Sequence, residues 1–397
     1  MTVSQNHEGT DEQPTTTDGE AMLKVDELTK IYPDGTVAVE EISFEIDRGD
    51  FCVLIGPSGC GKSTTLHSLV GRFPITEGKI LLDGKDITDV ETYRRDIGLV
   101  FQDFQLFPHL SVIENIEYGL DQIEVSEEER TRRLDEMVDV MNLEGMEDRA
   151  PEELSAGQKQ RVALARSLVL EPKLLLLDEP LGDMDYKLQK RMERELLRIH
   201  RNMDTTFVYV THDQTQAMRL GDQLIVMNDG KIEHSGTTEE VYNRPATAFV
   251  STFVGDSNVF TGDLVSVSED NAYADIETDL GTFTSSTDNL DSAPESLIDE
   301  SIPFSVRPQY IEIGDHYENV LSCRVIDVIY QPGAGTLILL EADRPDGDPM
   351  RLQVKSHERV TIDSETVEIT WNPDNATLLE RTSVLSDIDL EKEILGE

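Results

Sequence analysis

Basic side chains are scarce in this chain of 397 residues, which carries 34 Lys and Arg against 80 Asp and Glu and has a formal net charge of -46. A protein that grips nucleic acid needs a basic surface to displace counterions from the phosphates, so this class of function is excluded. Direct binding to an anionic membrane surface is excluded for the same reason. Because so many like charges repel one another, we expect the fold to require a salt-filled, halophilic cytoplasm, where the Debye length falls to ~3 Å at molar salt.

Cysteine and long apolar runs are also scarce. The three cysteines, Cys52, Cys60 and Cys323, show no CxxC spacing, which is typical of a reduced, cytosolic protein. No apolar run approaches the ~18–20 residues that a helix needs to cross a bilayer. The N-terminus is polar and acidic, without the basic start and apolar centre of a signal peptide. We predict a disordered acidic tail over residues 1–21 and expect other subunits to supply any membrane crossing.

Residues 22–255 have the pattern of an α/β domain. Two alternating runs predict strands over 22–32 and 40–47, and continuous apolar strands that alternate with helix-like stretches then indicate a largely parallel sheet. The predicted buried strands are 51–56, 97–101, 173–177, 206–210 and 223–227, and the predicted helices are 62–70, 158–170 and 186–203. The charged, helix-periodic stretch 114–153 contains no strand pattern, which predicts a separate helical subdomain over about 103–171.

The pattern of apolar and polar residues changes at about residue 256. Short alternating runs, broken by Gly, Pro, Asp and Asn, continue to the C-terminal region. This pattern predicts a small all-β barrel or sandwich over 256–397. Its acidic composition lacks the basic groove studded with aromatic residues that single-stranded nucleic acids require.

A glycine-rich segment follows the first buried strand and fits the pattern GxxxxGK[ST]. Glycines let backbone N–H groups turn towards phosphates, and the following helix adds the positive end of its dipole. Lys62 can reach the outer phosphates, and the hydroxyl of Ser63 can ligate Mg²⁺. The sequence therefore predicts a nucleotide-binding loop made of Gly56, Pro57, Ser58, Gly59, Cys60, Gly61, Lys62, Ser63 and Thr64.

Two carboxylates, Asp178 and Glu179, end the buried strand LLLL. Beside a phosphate loop, the first would hold Mg²⁺ and the second would polarise the attacking water. Both must emerge at the carboxyl edge of the sheet for this to happen.

The stretch LSAGQKQRVALARSL, residues 154–168, stands just before that acidic strand and resembles the signature of the ATP-binding cassette (ABC) family. The other motifs of that family follow in the right order. Tyr32 matches the aromatic residue that stacks on adenine, and Gln102 matches the glutamine that senses Mg²⁺ and the membrane partner. Residues 182–185 resemble the D-loop, and His212 resembles the switch histidine.

The resemblance implies that two cassettes close head to tail around ATP and Mg²⁺. One cassette would contribute Tyr32, the phosphate loop and Gln102, and the other would contribute Ser155, Gly157 and Gln158. Catalysis would rest on Glu179, His212 and Lys62, and Mg²⁺ would be held by Ser63, Gln102 and Asp178.

Two positions depart from the family pattern. Ala156 replaces a glycine of the signature, and its N–H can still reach phosphate if the residue does not have a positive φ. Asp183 and Met184 stand where small and aliphatic residues are usual, which affects the expected dimer interface. Six other histidines have no metal-ligand spacing and are interpreted as surface or packing residues: His67, His109, His200, His234, His316 and His357.

The segment 230–262 and the β-rich region resemble the ATPases of importers for polyamines, iron(III), sulfate, molybdate and sugars, with an appended oligonucleotide-fold-like regulatory domain. The resemblance implies permease subunits, an extracellular solute-binding protein acting indirectly, and a homodimer or a heterodimer at the cytoplasmic face of the cell membrane. A polyamine such as spermidine or putrescine is the favoured solute. The alternatives are a sugar, iron(III), sulfate or molybdate/tungstate importer, an exporter ATPase, or a soluble non-transport ABC ATPase.

Overall fold

The computed structural model describes residues 21–182, 184–290, 292–345 and 347–379. The predicted tail therefore lies outside the described residues, apart from Ala21, which begins the first strand. Asp183 of the predicted D-loop also lies outside them.

The N-terminal strands build two sheets. Strands β1, β2, β4 and β5 form a four-stranded antiparallel sheet in the order β2-β1-β4-β5, and the others form a six-stranded sheet in the order β10-β9-β3-β8-β7-β6. The strands are β1 Ala21–Ile31, β2 Val37–Asp47, β3 Phe51–Ile55, β4 Glu77–Leu82, β5 Lys85–Asp86, β6 Ile97–Val100, β7 Leu174–Asp178, β8 Thr206–Thr211, β9 Gln223–Asn228 and β10 Lys231–Thr237.

The six-stranded sheet is parallel except at its edge, where β10 runs antiparallel to β9. All residues of β3 and β8 are buried, which explains why these strands are continuous apolar or β-branched runs instead of alternating ones. The predicted parallel α/β core is confirmed.

Helices cover the sheets, and three of the α-helices stand between β6 and β7 in the chain and share an apolar core with the six-stranded sheet. The α-helices are α1 Lys62–Leu69, α2 Val112–Glu117, α3 Glu127–Val140, α4 Ala156–Leu168, α5 Tyr186–Arg201, α6 Gln214–Leu220, α7 Thr238–Asn243 and α8 Ala248–Gly255. Ser111 and Ser126 cap α2 and α3 by accepting the N–H groups of Glu114 and Glu129. No described helix is long and apolar enough to cross a membrane.

The C-terminal strands form a closed barrel, β11-β12-β13-β20-β14, and a five-stranded sheet, β15-β19-β16-β17-β18. Both contribute to one apolar core, in which Phe260 stacks on Phe304 and on Trp371. The distances between the ring centroids are 4.9 Å and 5.4 Å. The all-β prediction is confirmed. The strands are β11 Asn258–Val267, β12 Tyr273–Thr278, β13 Gly281–Ser286, β14 Ser301–Val306, β15 Glu312–Ile313, β16 Asn319–Gln331, β17 Gly335–Ala342, β18 Met350–Ser356, β19 Thr366–Trp371 and β20 Ala376–Leu378.

The barrel is fastened to the last two helices of the N-terminal part. The guanidinium of Arg307, which follows β14, donates hydrogen bonds to the carbonyls of Ser251 in α8 and Tyr242 in α7. The hydroxyl of Ser251 also donates to that of Ser305 at 2.8 Å. A buried guanidinium needs hydrogen-bond acceptors such as these carbonyls, so this contact fixes the helix pair against the barrel.

Candidate nucleotide-binding site

The register of the parallel sheet brings the predicted motifs to one edge. Ile55 of β3 pairs with Thr211 of β8, Leu177 of β7 pairs with Tyr209 of β8, and Val100 of β6 pairs with Leu177. The four strands therefore end within two residues of one another at the same edge of the sheet. The phosphate loop, Gln102, the two carboxylates and His212 each follow directly from one of these ends, as expected for ligand sites in open α/β sheets.

The phosphate loop turns sharply into the N-terminus of α1. Gly61 has a φ of 104°, and a Cβ built on it would lie 2.6 Å from the carbonyl oxygen of Ala38. The next residue, Lys62, is only 6% exposed, and its Nζ donates to the carbonyls of Gly56 and Pro57 at 2.7 Å each. An ammonium group buried at a helix N-terminus creates a positive concavity that suits phosphate oxygens.

Gly61→Ala tests the shape of this loop. Both Gly59 and Gly61 have positive φ, but a Cβ on Gly59 meets nothing within 4 Å. Gly59→Ala is therefore the matched control, which costs about 1–2 kcal/mol in backbone strain alone. We expect Gly61→Ala to lower the free energy of unfolding by about 1–3 kcal/mol more, because of the clash. Urea unfolding without nucleotide measures this, and equal losses in the two variants would contradict the close packing at Gly61.

Asp178 ends β7 in a poorly hydrated position. Burial raises the pKa of its carboxyl above the ordinary value, an effect that His67 partly opposes. The Nε2 of His67 lies 3.9 Å from Asp178 Oδ2 and, within the described part of the chain, has no hydrogen-bond partner. A half-buried carboxylate with reduced solvation suits a bound cation.

Ser63 stands one helical turn before His67 on α1, so the two side chains share a helix face. Because His67 reaches Asp178, this face is directed to the end of β7. The Ser63 hydroxyl and the Asp178 carboxylate are both hard oxygen donors, the type that Mg²⁺ prefers. The interpretation of His67 as an ordinary packing residue missed this proximity, although its spacing from Ser63 gave a signal.

Glu179 has a strained backbone. Its φ is 43°, a left-handed conformation that a non-glycine residue keeps only where the surroundings hold it. Its N–H donates to the carbonyl of Val210 at 3.1 Å, and its Oε1 lies 3.2 Å from Nδ1 of His212. The side chain of His212 is 63% exposed, so the carboxylate–imidazole pair faces the open side of the site.

Gln102 and Tyr32 flank the loop and the carboxylates. A Cβ built on Gly182 would lie 3.2 Å from Nε2 of Gln102, which puts this amide beside the turn after Glu179. The hydroxyl of Tyr32 lies 3.2 Å from that of Thr64, at the end of the phosphate loop. Phe73 meets the Tyr32 ring edge-on at a centroid distance of 6.0 Å, a support that the sequence did not reveal.

The signature residues lie elsewhere. Ser155 precedes the first turn of α4, and its N–H donates to Oε1 of Gln158. Gly157 is buried towards α5, where a Cβ would lie 3.1 Å from Sδ of Met192. In the described residues, Ser155 and Gln158 form no hydrogen bond with the phosphate loop of their own chain. Ala156 is the first residue of α4 and does not have a positive φ, so the condition for its N–H to contact phosphate is met.

A phosphate loop at a helix N-terminus, two carboxylates at the end of the next strand but one and an imidazole beside the second carboxylate define the site of a P-loop ATPase. The comparisons agree with this geometry. Residues 39–182 match the family described as ABC transporter, and residues 304–379 match the family described as TOBE domain.

Known relatives cover most of the chain. It is 43% identical to PotA of Acidothermus cellulolyticus, a spermidine/putrescine import ATP-binding protein, over 81% of this chain and 82% of the relative. It is 44% identical to FbpC of Fusobacterium nucleatum, an Fe(3+) ions import ATP-binding protein, over 61% of this chain and 65% of the relative. The solved structure of cbiO1 from Clostridium perfringens, part of the ABC transporter complex cbiONQ, is 34% identical with a TM-score of 0.52, over 56% of this chain and 90% of that one.

The chain belongs to the ABC transporter family of ATPases, as the order of its motifs predicted. ATP is its substrate and Mg²⁺ its cofactor.

Proposed function

We propose that this chain hydrolyses ATP to drive solute import through separate permease subunits, and that the solute is a polyamine. The observation that carries the ATPase role is the meeting of Lys62, Asp178, Glu179 and His212 at one edge of the parallel sheet. The observation that favours polyamines is the 43% identity to a spermidine/putrescine import protein over 81% of the chain.

Each residue at the sheet edge has a proposed role. Tyr32 stacks on the adenine, and Lys62 neutralises the outer phosphates from within the loop. Glu179 takes a proton from the attacking water, and His212, whose ring lies 3.2 Å from that carboxylate, contacts the γ-phosphate. Ser63, Gln102 and Asp178 hold Mg²⁺, which when bound offsets the negative charge on the phosphates.

The second half of the site comes from another cassette. Ser155 and Ala156 are exposed and lie at the N-terminus of α4, where free N–H groups can bind phosphate. Because Ser155, within the described residues, forms no hydrogen bond with the phosphate loop of its own chain, a partner copy would present this segment to the nucleotide. We propose a head-to-tail dimer, formed with a second copy or with a paralogue, that closes on ATP and reopens after hydrolysis.

We propose the domain limits that the sequence predicts. Residues 22–255 form the nucleotide-binding domain, with a helical subdomain over about 103–171, and the β-rich regulatory domain begins at 256. The chain works at the cytoplasmic face of the cell membrane, held there by the permease. The solute-binding protein acts on it only through that permease.

Uptake measurements test the function. Cells whose only copy carries Glu179→Gln are assayed with labelled spermidine, a sugar, sulfate, molybdate and iron(III), beside cells that carry Glu171→Gln. We expect loss of spermidine uptake alone in the first strain and unchanged uptake in the second.

Iron(III) is the second candidate, because the chain is 44% identical to an Fe(3+) import protein. Loss of iron(III) uptake alone would establish that alternative and overturn the polyamine assignment. Survival of every uptake in the Glu179→Gln strain would contradict the importer role and favour an exporter or a non-transport ATPase.

A further inference from the structure

The turn after Gln102 contains two consecutive residues in the left-handed conformation. Phe104 has a φ of 58° and Gln105 has a φ of 42°. Residues with a Cβ rarely adopt this conformation, and two in succession persist only where neighbouring groups hold them.

A single side chain holds both carbonyls of this bend. Arg166, on α4, donates from Nη2 to the carbonyl of Phe104 at 3.0 Å and from Nη1 to the carbonyl of Gln105 at 2.8 Å. Its guanidinium also lies 5.2 Å from the centre of the Phe107 ring. The planar fork of an arginine suits two adjacent acceptors, so the contact fixes the direction of the bend as well as its position.

The two ends of the turn are attached to different parts of the cassette. Gln102 lies beside Gly182, whose N–H donates to the carbonyl of Glu179 at 3.1 Å. At the other end, the amide of Asn115 in α2 accepts from the N–H of Phe107 at 2.8 Å and donates to its carbonyl at 3.1 Å. The bend held by Arg166 is therefore the joint between the catalytic edge of the sheet and the helices that stand between β6 and β7.

We infer that Arg166 is a positioning residue for Gln102. Arg166 is not among the residues proposed to contact nucleotide or metal. It attaches the turn that follows Gln102 to α4, the helix that begins next to Ser155. The glutamine proposed to hold Mg²⁺ and the signature segment proposed to bind the partner's ATP are thereby joined through one guanidinium. This inference rests on the proposed role of Gln102.

Arg161 is a matched control on the same helix. It donates from Nη1 to the carbonyls of Met141 at 2.8 Å and Asn142 at 2.9 Å, and Asn142 also has a positive φ, of 51°. It thus makes the same kind of contact at the end of α3 instead of the turn after Gln102. Truncating either arginine removes two carbonyl contacts, but only Arg166 holds that turn.

The test uses the full-length chain with Arg166→Met, Arg161→Met, Arg166→Lys or Gln102→Ala. The Mg²⁺ concentration for half-maximal ATP hydrolysis is measured together with hydrogen exchange of residues 101–107 without nucleotide. We expect Arg166→Met to raise that Mg²⁺ concentration about tenfold, as for other residues that orient metal ligands, and to speed exchange in the turn. Arg161→Met should change neither, and Arg166→Lys, which can reach one carbonyl, should fall between.

Unchanged Mg²⁺ dependence and exchange in Arg166→Met would overturn the inference, whatever the loss of thermal stability. If Arg166→Met does not fold, Arg166→Lys decides by the same two measurements. Gln102→Ala tests the proposed role of Gln102 separately from the inferred role of Arg166. If that variant leaves the Mg²⁺ dependence unchanged, the proposed role of Gln102 is wrong, whereas a change there without one in the arginine variants removes only Arg166.

Discussion

Glu179→Gln is expected to lower the rate of ATP hydrolysis by a factor of about 10²–10⁴, the usual contribution of a general base. The amide has nearly the size of the carboxylate and can keep the polar contact with His212, but it cannot accept the proton of the attacking water. ATP binding should persist, so the closed dimer should accumulate. Phosphate release measures the rate, and light scattering with ATP and Mg²⁺ measures the dimer.

Glu171→Gln is the matched control for this change. Glu171 is also a non-glycine residue with a positive φ, of 54°, but its carboxylate pairs with Arg132 at 3.0 Å and with Arg133 at 2.7 Å. Exposed ion pairs of this kind contribute about 0–1 kcal/mol, so turnover should stay within about twofold of the parent chain. Near-normal turnover in Glu179→Gln would remove Glu179 from the role of general base.

Loss of salt is expected to unfold the protein. The chain has 46 more acidic than basic residues. One basic side chain can therefore face several carboxylates, as Arg132 does with Glu129, Glu136 and Glu171. The uncompensated carboxylates can be screened only by ions. When KCl falls from about 1 M to about 0.01 M, the Debye length rises from ~3 Å to ~30 Å and the repulsion extends across the molecule. Near-ultraviolet circular dichroism and ATPase activity should be lost together over this range.

A non-ionic osmolyte provides the control. Sucrose favours burial by its exclusion from the protein surface, but it does not screen charge. We expect sucrose at the osmolarity of the KCl solution to restore much less structure than KCl does. Native circular dichroism and full activity at low salt would refute the halophilic interpretation. Equal rescue by sucrose would show that KCl acts by general stabilisation of the compact state and not by charge screening.

Contiguous motifs were the part of the site that could be predicted. The segments 56–64 and 178–179 each keep their residue types within one strand end and the turn that follows, so their position depends on local structure alone. The predicted strands of the parallel sheet also agree with the structure within a few residues, because buried strands are continuous apolar runs.

The individual limits of the first barrel strands could not be predicted, because these strands contain no such apolar runs. Strands β12 and β13 are short and rich in Thr, Ser, Asp and Glu, and β11 begins at Asn258, inside the segment 230–262 that resembles importer ATPases. Half of their side chains face solvent, so these strands contain no continuous apolar run from which they could be predicted. Their alternating burial becomes visible only when the barrel closes around Phe260 and Phe283.

The sequence by itself determined the class of this protein, its acidic surface and the identity of the groups that can bind and hydrolyse ATP. The tertiary structure alone decided which of these groups meet. It placed His67 beside Asp178 and Arg166 on the carbonyls of the turn after Gln102, pairs that are separated by scores of residues along the chain. The physical reason is that such contacts depend on the order and register of parallel strands and on how helices pack over them, and no local pattern encodes either of these.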